Sequence, residues 1–251
     1  MARKFVVSRV ALALALSTGM AVAVAPPAMA KKKEKAEGSQ FSEEFRKAAA
    51  PIEQAMTEAT KSLPAGAGDA DYAAAKTQID TALGGDGKAT FEAAVSTATT
   101  PDDKMALGQL MRNYGILAKD LPFKQKGTAM MLDSGKVPAD KVGSVYFDAG
   151  VTAYQLQDWA NAARYLKASK DAGFQDPNNQ LEMILVDAYK RSGNNEAVVQ
   201  MADEEIATAQ AKGVAPSETT LRNALQQTYA AKQVAPSAKY ASMLGQYYPD
   251  A

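Results

Sequence analysis

The chain has 251 residues, with 28 basic and 28 acidic side chains and neither histidine nor cysteine. The absence of both residue types excludes a disulfide, a thiolate nucleophile, a Cys/His zinc site, a haem attached through cysteine and a Ser-His-Asp relay. Three of the basic residues precede position 31, so residues 31–251 carry 25 basic against 28 acidic side chains, and this balance argues against nucleic acid as a partner. We expect no cofactor and no metal ligands.

Residues 1–30 have the three parts of a secretory signal peptide: a basic start, an apolar run over 10–25 and an Ala-Met-Ala cleavage site at 28–30. The run is shorter than the ~20 residues that span a bilayer, and Pro26-Pro27 follows it, which favours cleavage after Ala30 over an uncleaved anchor. We therefore expect a periplasmic or secreted protein with no stable membrane anchor. Residues 31–40 lack an apolar period and are predicted to be a charged flexible tail.

Residues 41–137 are predicted to form N-terminal helical hairpins. The stretch 41–63 is typical of a helix, in which Pro51 is expected to cause a kink or a break. A hairpin follows, with helices over 69–83 and 90–98 joined by a glycine-rich turn. The next hairpin has its first helix over 101–118 and a return helix from Leu121 to Leu132, which Ser134-Gly135 ends.

The stretch 143–179 has the most regular pattern in the chain. Its first half carries apolar and small residues at the i, i+3, i+4, i+7, i+8 spacing of one helix face: Tyr146, Ala149, Gly150, Ala153 and Tyr154. A polar break at Gln157-Asp158 leads to a second stripe: Trp159, Ala162, Ala163 and Leu166. Asp176-Pro177-Asn178 closes the unit. The pattern predicts a helix-turn-helix hairpin of roughly 34 to 37 residues.

Two further hairpins are predicted, with helices over 180–191 and 196–209, then from about residue 215 and from Pro236 to Tyr247. Tyrosines close the first helix of four successive hairpins at separations of 40, 35 and 40 residues: Tyr114, Tyr154, Tyr189 and Tyr229. Each follows an expected core residue by four: Leu110, Gly150, Leu185 and Leu225. In a stack of hairpins these tyrosines would lie along one seam.

The unit at 143–179 resembles a tetratricopeptide repeat (TPR), with a large aromatic residue, Ala-Gly and Tyr in the first helix, alanine in the second and Asp-Pro-Asn at the exit. The resemblance extends less closely over 179–206 and 219–245 and is weak before 138. It departs from the family in its longer spacings and in keeping the first-helix glycine only at Gly150. It implies an all-α, right-handed superhelix of about five helical hairpins, with TPR-like repeats over 138–251.

In this family the concave face carries first-helix residues beside the packed stripe. The resemblance therefore implies ten partner-binding residues: Phe147, Asp148, Val151, Gln155, Met183, Asp187, Lys190, Arg191, Asn223 and Gln227. A merely solvated helix face is the alternative for each of them. Phe147 departs most from that alternative, because an exposed aromatic side chain is a common binding anchor. Only Lys190, Arg191 and Asn223 come near the carboxylate clamp of one TPR subgroup, so that specificity is not transferred.

Three functions are compatible with the sequence. The first is a non-enzymatic binding or scaffold protein that holds a peptide or partner protein on its concave face. The second is a cell-wall glycan enzyme that uses carboxylate pairs such as Glu204-Glu205 or Asp102-Asp103, although adjacent residues on a helix diverge by about 100°. The third is a subunit that forms a homodimer through its last hairpin, which carries Tyr240, Met243, Leu244, Tyr247 and Tyr248. We favour the first and assign no catalytic residue.

Overall fold

The computed structural model describes residues 41–61, 63–178 and 180–250, so the predicted signal peptide and charged tail lie outside the described residues. The described part is all-helical, as predicted, and contains no strand. The first five helices are α1 (Glu43–Lys61), α2 (Asp69–Ala82), α3 (Gly87–Ala94, followed by a 3₁₀ turn over Val95–Thr97), α4 (Pro101–Leu117) and α5 (Leu121–Asp133). The others are α6 (Ala139–Gln155), α7 (Trp159–Asp171), α8 (Leu181–Arg191), α9 (Asn195–Ala211), α10 (Glu218–Ala230) and α11 (Val234–Tyr247).

Helix packing follows chain order beyond α4. Each helix from α4 to α11 packs on the next one in the chain, and α6 also packs on α8. By contrast, α1, α2, α3 and α4 contact one another as a small bundle. The buried apolar residues form three clusters, supplied in turn by α1–α5, by α6–α9 and by α9–α11. The core is thus distributed along the chain instead of lying at one centre.

Four hairpins share the same three-residue turn, namely α4–α5, α6–α7, α8–α9 and α10–α11. In each turn the middle residue has a left-handed backbone: Lys119 (φ 53°), Gln157 (61°), Gly193 (76°) and Lys232 (58°). These positions are 38, 36 and 39 residues apart. The residue after each donates its backbone N–H to a carbonyl five positions earlier, at 2.9 Å in every case, which closes the first helix with a Schellman motif.

The turn defines which positions of the hairpins are equivalent. The residues four and eight places before the left-handed residue are buried in all four hairpins: Gly115, Ala153, Tyr189 and Thr228, and Met111, Ala149, Leu185 and Ala224. In three hairpins the last turn residue also caps the second helix, through Asp120, Asp158 and Asn194.

The predicted tyrosine seam is wrong in this register. Tyr114 lies five residues before the left-handed residue of its turn, Tyr189 four, and Tyr154 and Tyr229 three. Each residue turns the helix by about 100°, so these side chains point in different directions. Tyr114 and Tyr189 are buried, Tyr154 is half-buried, and Tyr229 is 77% exposed.

Two other local predictions need adjustment. α1 continues without interruption through Pro51, whereas the sequence suggested a kink or a break. The last helix begins at Val234, two residues before the expected Pro236. The expected boundary at 137–138 falls between α5 and α6. Across the described ranges, no helix combines the length and the apolar character needed to cross a membrane.

Candidate binding groove

A groove of about 440 Å³ lies between α8 and α10, with α9 as its floor. α9 packs on both helices, whereas no Cα atom of α8 comes within 8 Å of one in α10. The floor consists of Val198, Met201 and Ala202, and α8 adds Met183 and Val186 to the apolar lining. Polar residues complete the walls: Lys170, Glu182, Asp187, Lys190, Glu205, Ser217, Thr219, Thr220 and Asn223. The groove is therefore apolar at its base and polar at its rim.

Four of the ten predicted partner-binding residues line this groove, namely Met183, Asp187, Lys190 and Asn223. Met183 is 65% exposed, which is unusual for a large apolar side chain on a helix. Lys190 Nζ donates to Asn223 Oδ1 at 2.8 Å and so bridges the two walls. The predicted residues of α8 and α10 thus meet at one site.

Most charges of the groove have partners, but Lys190 has no acidic one among the described residues. Lys170 Nζ lies 2.9 Å from Glu182 Oε1, and Glu205 accepts the backbone N–H of Ser217 at 2.8 Å. Lys190 is held only by the neutral amide oxygen of Asn223. The groove therefore offers one ammonium group whose charge a ligand could neutralise.

The carboxylate of Asp187 is held in place from two helices. It accepts hydrogen bonds from the Tyr154 hydroxyl of α6 and from Arg191 Nε, the latter at 2.6 Å. Burial alone would raise the pKa of Asp187, but these two donors lower it overall. The Arg191 guanidinium also lies 4.7 Å from the centre of the Trp159 ring. Asp187 and Arg191 therefore link α6, α7 and α8.

The predicted residues of α6 lie elsewhere. Phe147 is half-buried with its ring 5.2 Å from that of Phe174, so it is not the exposed aromatic residue that the sequence suggested. Val151 packs against the same cluster. Gln155 is exposed and Gln227 of α10 is half-buried, and neither lines the groove.

Asp148 takes part in a largely buried ion cluster. Its carboxylate lies 2.9 Å from Arg112 Nε and 2.5 Å from Lys124 Nζ, and that lysine also donates to Thr152 Oγ1 at 2.9 Å. Lys124 occupies the core position that Ala162 and Val198 fill in the next two hairpins, so its charge requires a nearby carboxylate. Asp148 thus ties α4 and α5 to α6.

Sequence reasoning missed the apolar floor of the groove. Val198 and Met201 were interpreted only as the packed stripe of a second helix, because helical spacing does not show whether a stripe is covered by one neighbour or lies open between two. An exposed Met183 facing such a stripe is the available signal, but it depends on the separation of α8 from α10.

The two carboxylate pairs considered for catalysis make structural contacts. Asp103 is buried and accepts the backbone N–H groups of Ser42, Thr99 and Thr100 at 3.0, 3.2 and 3.0 Å. Burial alone would raise the pKa of Asp103, but these hydrogen bonds lower it. Asp102 lies 3.3 Å from Lys136 Nζ. In the other pair, Glu204 accepts from Gln200 and Glu205 from the backbone of Ser217.

The apolar residues of the last hairpin are mostly turned inward. The Tyr240 ring is buried and its hydroxyl donates to Asp203 Oδ1 at 2.8 Å, while the Tyr248 hydroxyl donates to the carbonyl of Pro216 at 2.7 Å. Met243 and Leu244 pack against the same cluster. The strongly exposed apolar side chains of this hairpin are instead Tyr229 and Val234, near its turn.

No model of a known protein family matches the chain, and no curated protein matches its sequence. Within the described residues, no group of three or more acidic side chains is placed to hold a metal ion.

Proposed function

We propose that the protein is a non-enzymatic scaffold of the bacterial periplasm that holds an extended segment of a partner protein in the groove between α8 and α10. The observation that carries this proposal is the meeting of exposed Met183, the apolar floor of α9 and the unneutralised Lys190 in one groove. Apolar contact supplies affinity at such a site, and the charge supplies orientation.

We further propose that the helices build a divergent, right-handed TPR-like superhelix. The repeated turn at Lys119, Gln157, Gly193 and Lys232 supports this arrangement, as does the serial packing from α4 to α11. Repeat proteins of this kind bury their apolar faces between neighbouring units and present extended surfaces to partners.

The chemistry of the groove defines its occupant. α8 has 11 residues and is about 16 Å long, which an extended peptide of about five residues spans. Met183 and the floor fit an apolar side chain, and Lys190 fits a carboxylate beside it. We therefore propose an extended peptide in which an apolar residue is flanked by Asp or Glu.

A peptide titration tests this function. Labelled peptides with a central Leu flanked by Asp, and the same peptides with Lys in place of Asp, are titrated by fluorescence anisotropy against the chain from Lys31. We expect the Asp peptides to bind more tightly, Met183→Ser to weaken them about tenfold and Lys190→Gln to remove the preference for Asp. Val234→Ser makes a matched change at a side chain that is 82% exposed outside the groove and should leave binding unchanged. Equal affinities in all variants would refute the groove as the site.

Export is part of the same proposal and has its own test. The sequence places cleavage after Ala30, so the N-terminal residue of the protein recovered from the native cell envelope should be Lys31. Intact mass measurement checks this position. Recovery of uncleaved chain from the cytosol would contradict the periplasmic assignment without bearing on the groove.

A further inference from the structure

The hydroxyl of Tyr189 has no partner, unlike those of other tyrosines that join hairpins. Tyr114 and Tyr240 donate to Asp80 and Asp203 at 2.7 and 2.8 Å, and Tyr154 donates to Asp187. Tyr189 is only 7% exposed, yet its hydroxyl makes no side-chain hydrogen bond within 41–61, 63–178 and 180–250. A buried hydroxyl without a partner is costly, so this group calls for an explanation.

The Tyr189 side chain lines a second groove, of about 460 Å³, between α7 and the start of α9. In the described part of the chain, the one sealed side-chain polar atom without a partner is Gln125 Oε1, so the Tyr189 hydroxyl retains access to solvent. Burial raises the pKa of Tyr189, while the charge of Lys167 lowers it and those of Asp171 and Glu204 raise it. Two of these three charges, Lys167 and Asp171, line the same groove, which places the hydroxyl beside it.

The groove is rich in hydrogen-bond donors. Arg164 uses Nε on Asn161 at 3.1 Å and stacks 4.1 Å from the Tyr165 ring, which leaves its two terminal nitrogens free to donate. Asn194 uses Oδ1 to cap α9, so its amide nitrogen also remains available. Asp171, the acidic residue of the lining, has both oxygens on Lys167 Nζ at 2.8 and 2.9 Å.

The end of α9 adds to this positive field. α9 has 17 residues, and the backbone N–H groups of its first turn, at Asn195 and Glu196, have no acceptor within the helix. The helix dipole favours an anion at this end. With Arg164 and Lys167 opposed only by Asp171, the lining carries a net charge of +1. The alanines at 160, 163 and 168 leave room beside these donors.

We propose that this second groove binds an oxyanion, the phosphate or carboxylate group of a small ligand, which accepts hydrogen bonds from the Tyr189 hydroxyl, the Arg164 guanidinium and the N-terminus of α9. The site does not depend on the peptide groove, because it lies on α7 and the opposite end of α8 from Met183. It would give the scaffold a small-molecule ligand in addition to its protein partner.

The test is an NMR titration of the chain from Lys31 with inorganic phosphate and, separately, with acetate, at constant ionic strength. We expect saturable shifts of the backbone amides of Asn195 and Glu196, and the anion that binds more tightly identifies the class of ligand. Tyr189→Phe keeps the buried ring and should weaken binding about tenfold, as should Arg164→Gln. Arg222→Gln removes the same charge from an exposed pair with Glu218 on α10 and should have no effect.

Two results would overturn the proposal. The first is the absence of saturable shifts with both anions. The second is unchanged affinity in Tyr189→Phe, because the hydroxyl would then not contact the ligand. Thermal unfolding of Tyr189→Phe, followed by circular dichroism, shows whether the variant is folded, and peptide binding to the α8–α10 groove should be retained in it.

Discussion

The closest helix contact in the molecule should be intolerant of a single methyl group. α4 and α5 cross at Gly108, Gly115 and Gly127, where the backbones touch. A Cβ atom on Gly127 would lie 2.5 Å from the backbone nitrogen of Arg112 and 2.6 Å from the carbonyl oxygen of Gly108. Both atoms belong to the α4 backbone and cannot rotate away, so Gly127→Ala must push the two helices apart.

The size of the effect follows from these distances. An ordinary contact begins at 3.4 Å, so the helices must separate by roughly 0.9 Å at this point. Overpacking of this kind costs about 1–3 kcal/mol, and the separation also loosens the ion cluster of Lys124 and Asp148. Replacing glycine by alanine within a helix returns about 1 kcal/mol. We expect a net loss of about 1–2 kcal/mol in the free energy of unfolding.

Urea unfolding followed by far-UV circular dichroism measures this loss. Gly245→Ala is the matched control, because Gly245 lies in α11 and a Cβ there meets nothing within 4 Å. The control should gain about 0.5–1 kcal/mol from helix propensity alone. If Gly127→Ala is as stable as the unsubstituted protein, or gains as much as Gly245→Ala, the close crossing of α4 and α5 is refuted.

Three further predictions concern tyrosine, glutamate and turn positions. Tyr114→Phe should cost about 1–3 kcal/mol in urea unfolding, because its buried hydroxyl donates to the Asp80 carboxylate, whereas Tyr229→Phe should be neutral, and equal effects would contradict the contact. Burial raises the pKa of Glu53 above its ordinary 4.5, so its ionisation destabilises the folded state as pH rises past that value. Glu53→Gln should therefore raise the melting temperature at neutral pH, with the gain disappearing below pH 4.5; a gain that is independent of pH would count against this assignment. Gln157→Gly should stabilise by about 0.5–1 kcal/mol in the same urea assay because a left-handed φ of 61° disfavours a side chain, and a loss of stability would contradict that backbone geometry.

Local patterns were sufficient to predict the helices. Apolar spacing and capping residues placed the helices from α4 to α10 close to their observed ends, since both signals depend on neighbours within a turn or two. The hairpin at 143–179 is observed as α6 and α7, with the turn at the predicted polar break, Gln157-Asp158.

The tyrosine register could not be predicted in this way. Equal spacing of Tyr114, Tyr154, Tyr189 and Tyr229 suggested equal positions, but the turns that set the register differ by one or two residues from that spacing. The partners of these tyrosines also lie far along the chain. Asp80 is 34 residues before Tyr114, and Asp187 is 33 residues after Tyr154.

The candidate site was predicted in part for a similar reason. Met183, Asp187, Lys190 and Asn223 meet because α8 and α10 face each other across α9, which the repeat pattern implies. Phe147 was expected to be exposed, and its cover is supplied by Phe174 from the loop after α7. Helical spacing contains no information about a side chain that arrives from a loop 27 positions later.

Site-specific photocrosslinking in the native cell tests the function most directly. A benzoylphenylalanine placed at Met183 faces the groove, and the same residue placed at Val234 is exposed outside it. The account predicts a crosslink from position 183 to a peptide in which an apolar residue adjoins Asp or Glu, with none from position 234. No crosslink at 183, or the same products from both positions, would contradict a binding role for this groove.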